Sequence, residues 1–314
     1  MNRLSRFAWL VLGWNVAVIL WGAFVRATGS GAGCGAHWPL CNGEVVPRAP
    51  ALETMVEFAH RATSGVALLL VVVLTLWVFR DKAKGQPARR AAGASLFFIL
   101  TEAAVGAGLV LFRLVGQNDS VARALFMAGH LANTFVLLAC LTLTAHWCTT
   151  DARLQPGTVS RFGWTFGTGA VALVAVGKSG AVAALGDTLY PAQSVLGGLA
   201  QDVSATAHVL VQLRIAHPIL AVAGALLVAF AASRVLQATD DGGARGAAWT
   251  VSALALLQLA GGLLNVALLA PVWMQIVHLL LADLLWIAFV LLAVRALSLP
   301  LPAPVKDGAL ARAA

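Results

Sequence analysis

Apolar residues along this chain form long continuous runs, unlike the periodic stripes of the helices and strands of soluble proteins. A helix needs about 20 mostly apolar residues to cross a bilayer core of about 30 Å. Runs of this length cover residues 7–27, 58–79, 91–112, 122–145, 162–185, 205–232, 247–269 and 272–294. The pattern therefore predicts an all-α integral membrane protein with eight transmembrane helices.

Composition supports this class, because 60% of the residues are hydrophobic and only 11% are charged, unlike a soluble globular domain. The first run reads FAWLVLGWNVAVILWGAFV. It is too long for the apolar region of a signal peptide, so we expect it to be the first helix.

The net charge of +8 would suggest nucleic-acid binding in a soluble protein. Here the cations sort by side of the membrane. If the N-terminus is cytoplasmic, fourteen of the 21 Lys and Arg residues fall in inner segments, as the positive-inside rule expects. We therefore expect a multi-pass protein of the cell membrane, surrounded by lipid, with both termini cytoplasmic and no nucleic-acid partner.

With this orientation, the Gly-rich loop 28–47 faces outward and contains Cys34 and Cys41. An oxidising compartment favours a disulfide between the two thiols. A metal site formed by both cysteines and His37 is the alternative, although no fourth ligand is evident.

An internal repeat divides the chain into tandem halves, 1–155 and 156–314. EFAHR at 57–61 matches RIAHP at 214–218 at an offset of 157 residues, and His130 matches His278 at an offset of 148. Glu102 aligns with Gln258 and Gly22 with Gly180 at similar offsets. Four helices per half make the repeats parallel. We expect two pseudo-symmetric four-helix bundles.

Each half has one histidine near the outer start of its second helix and another near the outer start of its fourth. The pairs are His60 with His130 and His217 with His278. Ionisable residues inside membranes usually face a protein interior or a cavity, so each histidine is either a hydrogen-bonded core residue or a ligand. The pairing of all four by the repeat favours the ligand. Imidazole pairs on facing helices typically bind haem iron, whereas zinc or copper would need more clustered donors. The pattern predicts two haem sites toward the outer face.

Several motifs resemble those of the haem A synthases. They are GAFVRATGSGAGCGAHWPLCNG (22–43), EFAHR (57–61), ARALFMAGHLA (122–132), GAVAALGDTLYPA (180–192), RIAHP (214–218) and HLLLADLLWIA (278–288). One departure is that some relatives carry a second cysteine pair between helices five and six, whereas residues 183–205 contain none.

The resemblance implies that the second half binds haem b as a cofactor through His217 and His278. It implies that the first half binds the substrate haem O between His60 and His130. Oxidation of a methyl group of haem O to a formyl group would give haem A for terminal oxidases. A haem O synthase would supply the substrate, cytochrome oxidase assembly would receive the product, and a homo-oligomer is compatible with this family.

Glu57 and His60 are three residues apart and share one face of a helix. A carboxylate beside the substrate could stabilise developing charge or activate water as a general base. Alternatively, Glu57 only caps its helix and pairs with Arg61. Near the outer surface, Arg26, Arg61, Arg123 and Arg214 could pair with haem propionates, or extend toward the interface as ordinary snorkelling side chains.

An iron with two axial imidazoles has no open position for dioxygen, so the second pair is better suited to electron transfer than to oxygen activation. We therefore expect electron withdrawal from haem O followed by attack of water, through hydroxylated intermediates. Two alternatives remain: a non-catalytic di-haem b electron carrier, which gives no reason for Glu57, and a haem transporter with duplicated halves.

Overall fold

The computed structural model describes residues 2–48, 50–150 and 152–300. Two of the fourteen cations predicted on the inner side, Lys306 and Arg312, lie outside these ranges. Within them the chain is helical and has no β-strand. The helices are α1 (Arg3–Ala27), α2 (Leu52–Asp81), α3 (Pro87–Leu111), α4 (Val121–Thr149), α5 (Pro156–Leu189), α6 (Val195–Asp202), α7 (Val209–Gln212), α8 (Ala216–Ala238), α9 (Gly242–Ala267) and α10 (Val272–Ser298).

Eight helical segments of the described ranges are long and apolar enough to cross a membrane. Seven are single helices, α1 to α5, α9 and α10, and the eighth joins α7 and α8 into one segment, Val209–Ala238. The predicted all-α integral membrane fold is confirmed.

The sixth span differs from the prediction of one continuous helix over 205–232. The helical segment begins at Val209, and a 3-10 turn at Leu213–Ile215 interrupts it before α8 begins. Pro218 explains the interruption, because it has no N–H to donate to the carbonyl four residues earlier. The break places His217 in the first turn of α8.

The helices pack as two four-helix bundles, as the repeat predicts. In the first bundle, α1 and α3 each pack against both α2 and α4. In the second, α5 and α9 each pack against α8, and α10 packs against both α5 and α9. The bundles meet where α4 contacts α5 and α10 and where α1 contacts α10. The assignment of one haem to each half remains a prediction.

The core between the bundles is closely packed. The Trp286 indole of α10 stacks on Phe135 of α4 with 5.2 Å between ring centroids, and its N–H donates to the Phe135 carbonyl at 2.6 Å. This contact joins α10 of the second bundle to α4 of the first. Within the second bundle, Gly169 lets α5 approach α10, since a Cβ atom there would lie 2.6 Å from the ring of Phe289.

Candidate functional site

The two histidines of the second half face each other, as predicted. His217 of α8 and His278 of α10 have ring centroids 6.3 Å apart and nearly perpendicular ring planes, at 85°. Nδ1 of His217 lies 3.1 Å from the Ser179 hydroxyl, and Nε2 of His278 lies 3.3 Å from the Gln258 amide nitrogen. Two imidazoles thus meet inside one bundle, each beside a polar side chain.

The first half places His60 on α2 and His130 on α4, the helices that correspond to α8 and α10. The Nδ1 atoms of His60 and His278 are buried without a hydrogen-bond partner among the described residues, and Nδ1 of His130 makes no hydrogen bond but lies 3.5 Å from the Glu102 carboxylate. Buried polar atoms are nearly always hydrogen-bonded, so such orphans are expected where a ligand completes the site.

Glycines lie against three of the four imidazoles. A Cβ atom at Gly22 would lie 3.0 Å from Cε1 of His60, and one at Gly180 would lie 2.9 Å from Cε1 of His217. At Gly262 it would lie 3.2 Å from His278. Three features fit the ligation of a flat macrocycle such as haem. They are the paired imidazole donors, the buried nitrogens without hydrogen-bond partners, and the glycines that leave room beside the rings.

Glu57 is buried, with 3% of its surface exposed, and three donors hold its carboxylate. Arg61 donates from Nε at 3.1 Å and from Nη2 at 2.5 Å, and the backbone N–H of Cys34 donates at 2.8 Å. The alternative interpretation of Glu57 is therefore half right. The Arg61 pair exists, but α2 begins at Leu52, five residues earlier, so Glu57 is not a helix cap.

The predicted disulfide between Cys34 and Cys41 is confirmed. It removes both thiols from the alternative metal site with His37. Nη1 of Arg61 donates to the carbonyls of His37 at 2.6 Å and Leu40 at 2.7 Å. Glu57 and Arg61 therefore attach the disulfide loop to α2, one turn from His60.

Arg26 connects the two bundles. Its guanidinium donates to the Ala184 carbonyl, to the Thr188 hydroxyl and to the Gln275 side-chain oxygen, each at 2.7 Å. Because these partners lie on α5 and α10, Arg26 links α1 to both helices of the other half.

The remaining outer arginines also contact protein groups. Arg214 pairs with Asp187 at 3.1 Å and Asp202 at 2.7 Å. Arg123 donates to two carbonyls of the loop before α4, those of Gly116 and Asn118, while its buried Nε has no partner among the described residues. Propionate binding by the four arginines remains a prediction.

Sequence reasoning did not identify Glu102 of α3 as a site residue. Its carboxylate lies 3.5 Å from Nδ1 of His130 and accepts hydrogen bonds from Asn133 and Thr134, each at 2.5 Å. The available signal was its alignment with Gln258, which lies beside the other ring nitrogen, Nε2, of His278.

The chain matches the family model of the cytochrome oxidase assembly protein, COX15-CtaA, over residues 5–290. A Thermus thermophilus protein named "Protoheme IX farnesyltransferase" is 52% identical over 296 residues, which are 94% of this chain and 49% of that protein. An Alkalihalophilus pseudofirmus "Heme A synthase" is 38% identical over 136 residues, 43% of each chain.

An Exiguobacterium sibiricum "Heme A synthase" is 39% identical over 147 residues, 46% of each chain. The chain thus matches about half the length of these curated relatives. The family match, in contrast, covers nearly the whole chain and agrees with the resemblance predicted from the motifs. The chain belongs to the COX15-CtaA family of cytochrome oxidase assembly proteins.

Proposed function

We propose that the protein is a haem A synthase, which oxidises a methyl group of haem O to a formyl group and so provides haem A for terminal oxidases. The observation that carries the proposal is the facing pair of His217 and His278, repeated in the first half by His60 and His130. Family membership and the relatives named "Heme A synthase" support it.

In this proposal His217 and His278 would hold haem b, which would supply one-electron transfer. Ser179 and Gln258 orient the two imidazoles by their side-chain contacts, since partners of ligating histidines fix ring orientation.

The first half receives haem O between His60 and His130. Conversion of the methyl group consumes one water and releases four electrons and four protons, because two hydrogens are replaced by one oxygen. It passes through a hydroxymethyl group and a hydrated aldehyde. The role proposed for the chain is to hold the porphyrin edge still and to accept protons near it.

Glu57 is the proposed proton acceptor. It lies on the same helix as His60, one turn earlier, so its carboxylate is on the side of the predicted porphyrin edge. Arg61 and the Cys34 N–H hold the carboxylate in one orientation. A base whose orientation is fixed in this way is suited to activating water at one position.

The surroundings of the reaction follow from the same proposal. With the N-terminus in the cytoplasm of a cell-membrane protein, all four histidines lie in the outer half of the membrane. A farnesyltransferase acting on protohaem would provide haem O, and cytochrome oxidase assembly would take the product.

The name of the Thermus relative describes prenyl transfer, so this activity needs an experiment of its own. The match covers only 49% of that protein, and we propose methyl oxidation for the half that is shared. Purified protein supplied with haem b and farnesyl diphosphate should form no haem O. Formation of haem O would instead assign prenyl transfer to this chain.

The main experiment tests methyl oxidation. It analyses the haems extracted from purified protein made in a host that produces haem O. Haem b together with haem O or haem A supports the proposal, and two equivalents of haem b alone support the di-haem carrier. His278→Ala should deplete haem b, and His130→Ala should deplete haem O and haem A. Full low-spin haem b in His278→Ala would contradict the ligand assignment.

A further inference from the structure

The internal repeat reveals a difference between the two halves at the partner of the fourth-helix histidine. Glu102 of α3 lies 3.5 Å from Nδ1 of His130, and its repeat equivalent Gln258 of α9 lies 3.3 Å from Nε2 of His278. The partner is a carboxylate in the first half and a neutral amide in the second.

The neighbours of the carboxylate also differ between the two halves. Asn133 and Thr134, one turn after His130 on α4, each donate a hydrogen bond of 2.5 Å to Glu102. At the histidine offset of 148 residues, the second half has Leu281 and Ala282 instead, whose side chains cannot donate. At these two equivalent positions, the first half has donors that hold a carboxylate beside the histidine and the second half does not.

The Glu102 carboxylate lies 3.5 Å from Nδ1 of His130, whose imidazole is the nearest ionisable group described for it. Ionisable side chains in membrane helices are costly and are usually retained for a function. A hydrogen-bonded link between α3 and α4 could be made by glutamine, as Gln258 demonstrates on α9. The charge itself therefore needs an explanation beyond helix packing.

We propose that Glu102 is a positioning residue for the substrate haem, and that it acts through His130. A carboxylate beside Nδ1 fixes the imidazole orientation and makes it a more basic ligand. A more basic axial ligand stabilises ferric over ferrous iron. Haem in the first half is therefore a better electron donor than haem beside Gln258. This inference rests on the proposed function, in which haem O binds at His60 and His130.

Reciprocal exchange of the two partners tests the inference in the full-length protein, with haemin as the probe. Ferric and ferrous haemin affinities are measured for each half, using His278→Ala to isolate the first site and His130→Ala to isolate the second. Glu102→Gln should lower the ferric affinity of the first site by about tenfold or more, the usual effect of losing such a partner. The ferrous affinity should change less, and the second site should be unaffected.

The matched variant Gln258→Glu should move the second site in the opposite direction. Glu102→Asp, which keeps the charge, should restore part of the ferric preference of the first site. An unchanged ratio of ferric to ferrous affinity in Glu102→Gln would overturn the inference, as would a loss of binding that Glu102→Asp fails to restore. If the first site binds no haemin in the chain that keeps Glu102, the result would instead overturn the proposed function.

Discussion

Replacement of Glu57 by glutamine separates chemistry at the substrate site from attachment of the disulfide loop. Glutamine keeps the shape of the side chain and one acceptor oxygen, but it removes the negative charge that Arg61 contacts through Nε and Nη2. We expect Glu57→Gln to bind normal haem b in the second half and to accumulate haem O or a partly oxidised intermediate.

Weaker attachment of the disulfide loop can explain only part of the expected loss of haem A formation in Glu57→Gln. A hydrogen bond to a charged group contributes about 1.5–3 kcal/mol, and glutamine can still accept the Cys34 N–H. Arg61 also keeps its bonds to the carbonyls of His37 and Leu40, so the loop retains anchors. Loss of a general base, in contrast, lowers the rate by about 10² to 10⁴. We therefore expect haem A formation to fall at least about 100-fold.

The assay is the rate of haem A formation per haem b, measured by extraction, chromatography and mass. Arg61→Gln is the comparison, because it removes the loop contacts but leaves the carboxylate, and its loss of rate should be much smaller. Glu44→Gln is the matched control, since this exposed carboxylate of the same loop bonds only the Arg48 N–H in the described contacts. Haem A formation by Glu57→Gln at the unmodified rate would refute the catalytic role, and equal losses in Glu57→Gln and Arg61→Gln would assign Glu57 to loop attachment.

Three further predictions concern the scaffold. Gly180→Ala should reduce bound haem b, because its Cβ would lie 2.9 Å from the His217 imidazole, whereas a Cβ at Gly167 of the same helix meets no atom within 4 Å. Gly167→Ala should therefore keep its haem b, and equal haem b contents in the two variants would contradict this. Thiol reagents should modify Cys34 and Cys41 of the intact protein only after reduction, and labelling of oxidised protein would be the opposing result. Arg26→Met should lower the melting temperature by leaving three acceptors without their donor, and an unchanged melting temperature would exclude the proposed link between bundles.

The sequence was sufficient for the helices, because long apolar runs report membrane spans regardless of how the helices rotate. The histidine pairs could also be located from the sequence, because the internal repeat gives each histidine an equivalent in the other half. The interruption before α8 was missed, since residues 209–215 (VLVQLRI) are mostly apolar and the missing N–H of Pro218 is a weak signal of the break.

The partners of the histidines were harder to predict. Contacts such as Glu102 with His130 depend on the rotation and register of α3 against α4, which apolar runs do not specify. Pairing of the outer arginines with haem propionates stays a prediction, but their contacts with carbonyls or carboxylates of neighbouring segments were not predicted. Those contacts join residues far apart in sequence, as Arg26 and Gln275 illustrate.

Direct conversion of haem O by the purified protein tests the central claim. The protein, loaded with haem b, is incubated with haem O and an electron acceptor in water enriched in heavy oxygen, and the haems are separated and weighed. We expect a product in which two hydrogens of haem O are replaced by one oxygen, with that oxygen derived from the labelled water. Recovery of haem O unchanged, while the bound haem b still cycles between its oxidised and reduced forms, would contradict methyl oxidation and identify an electron carrier.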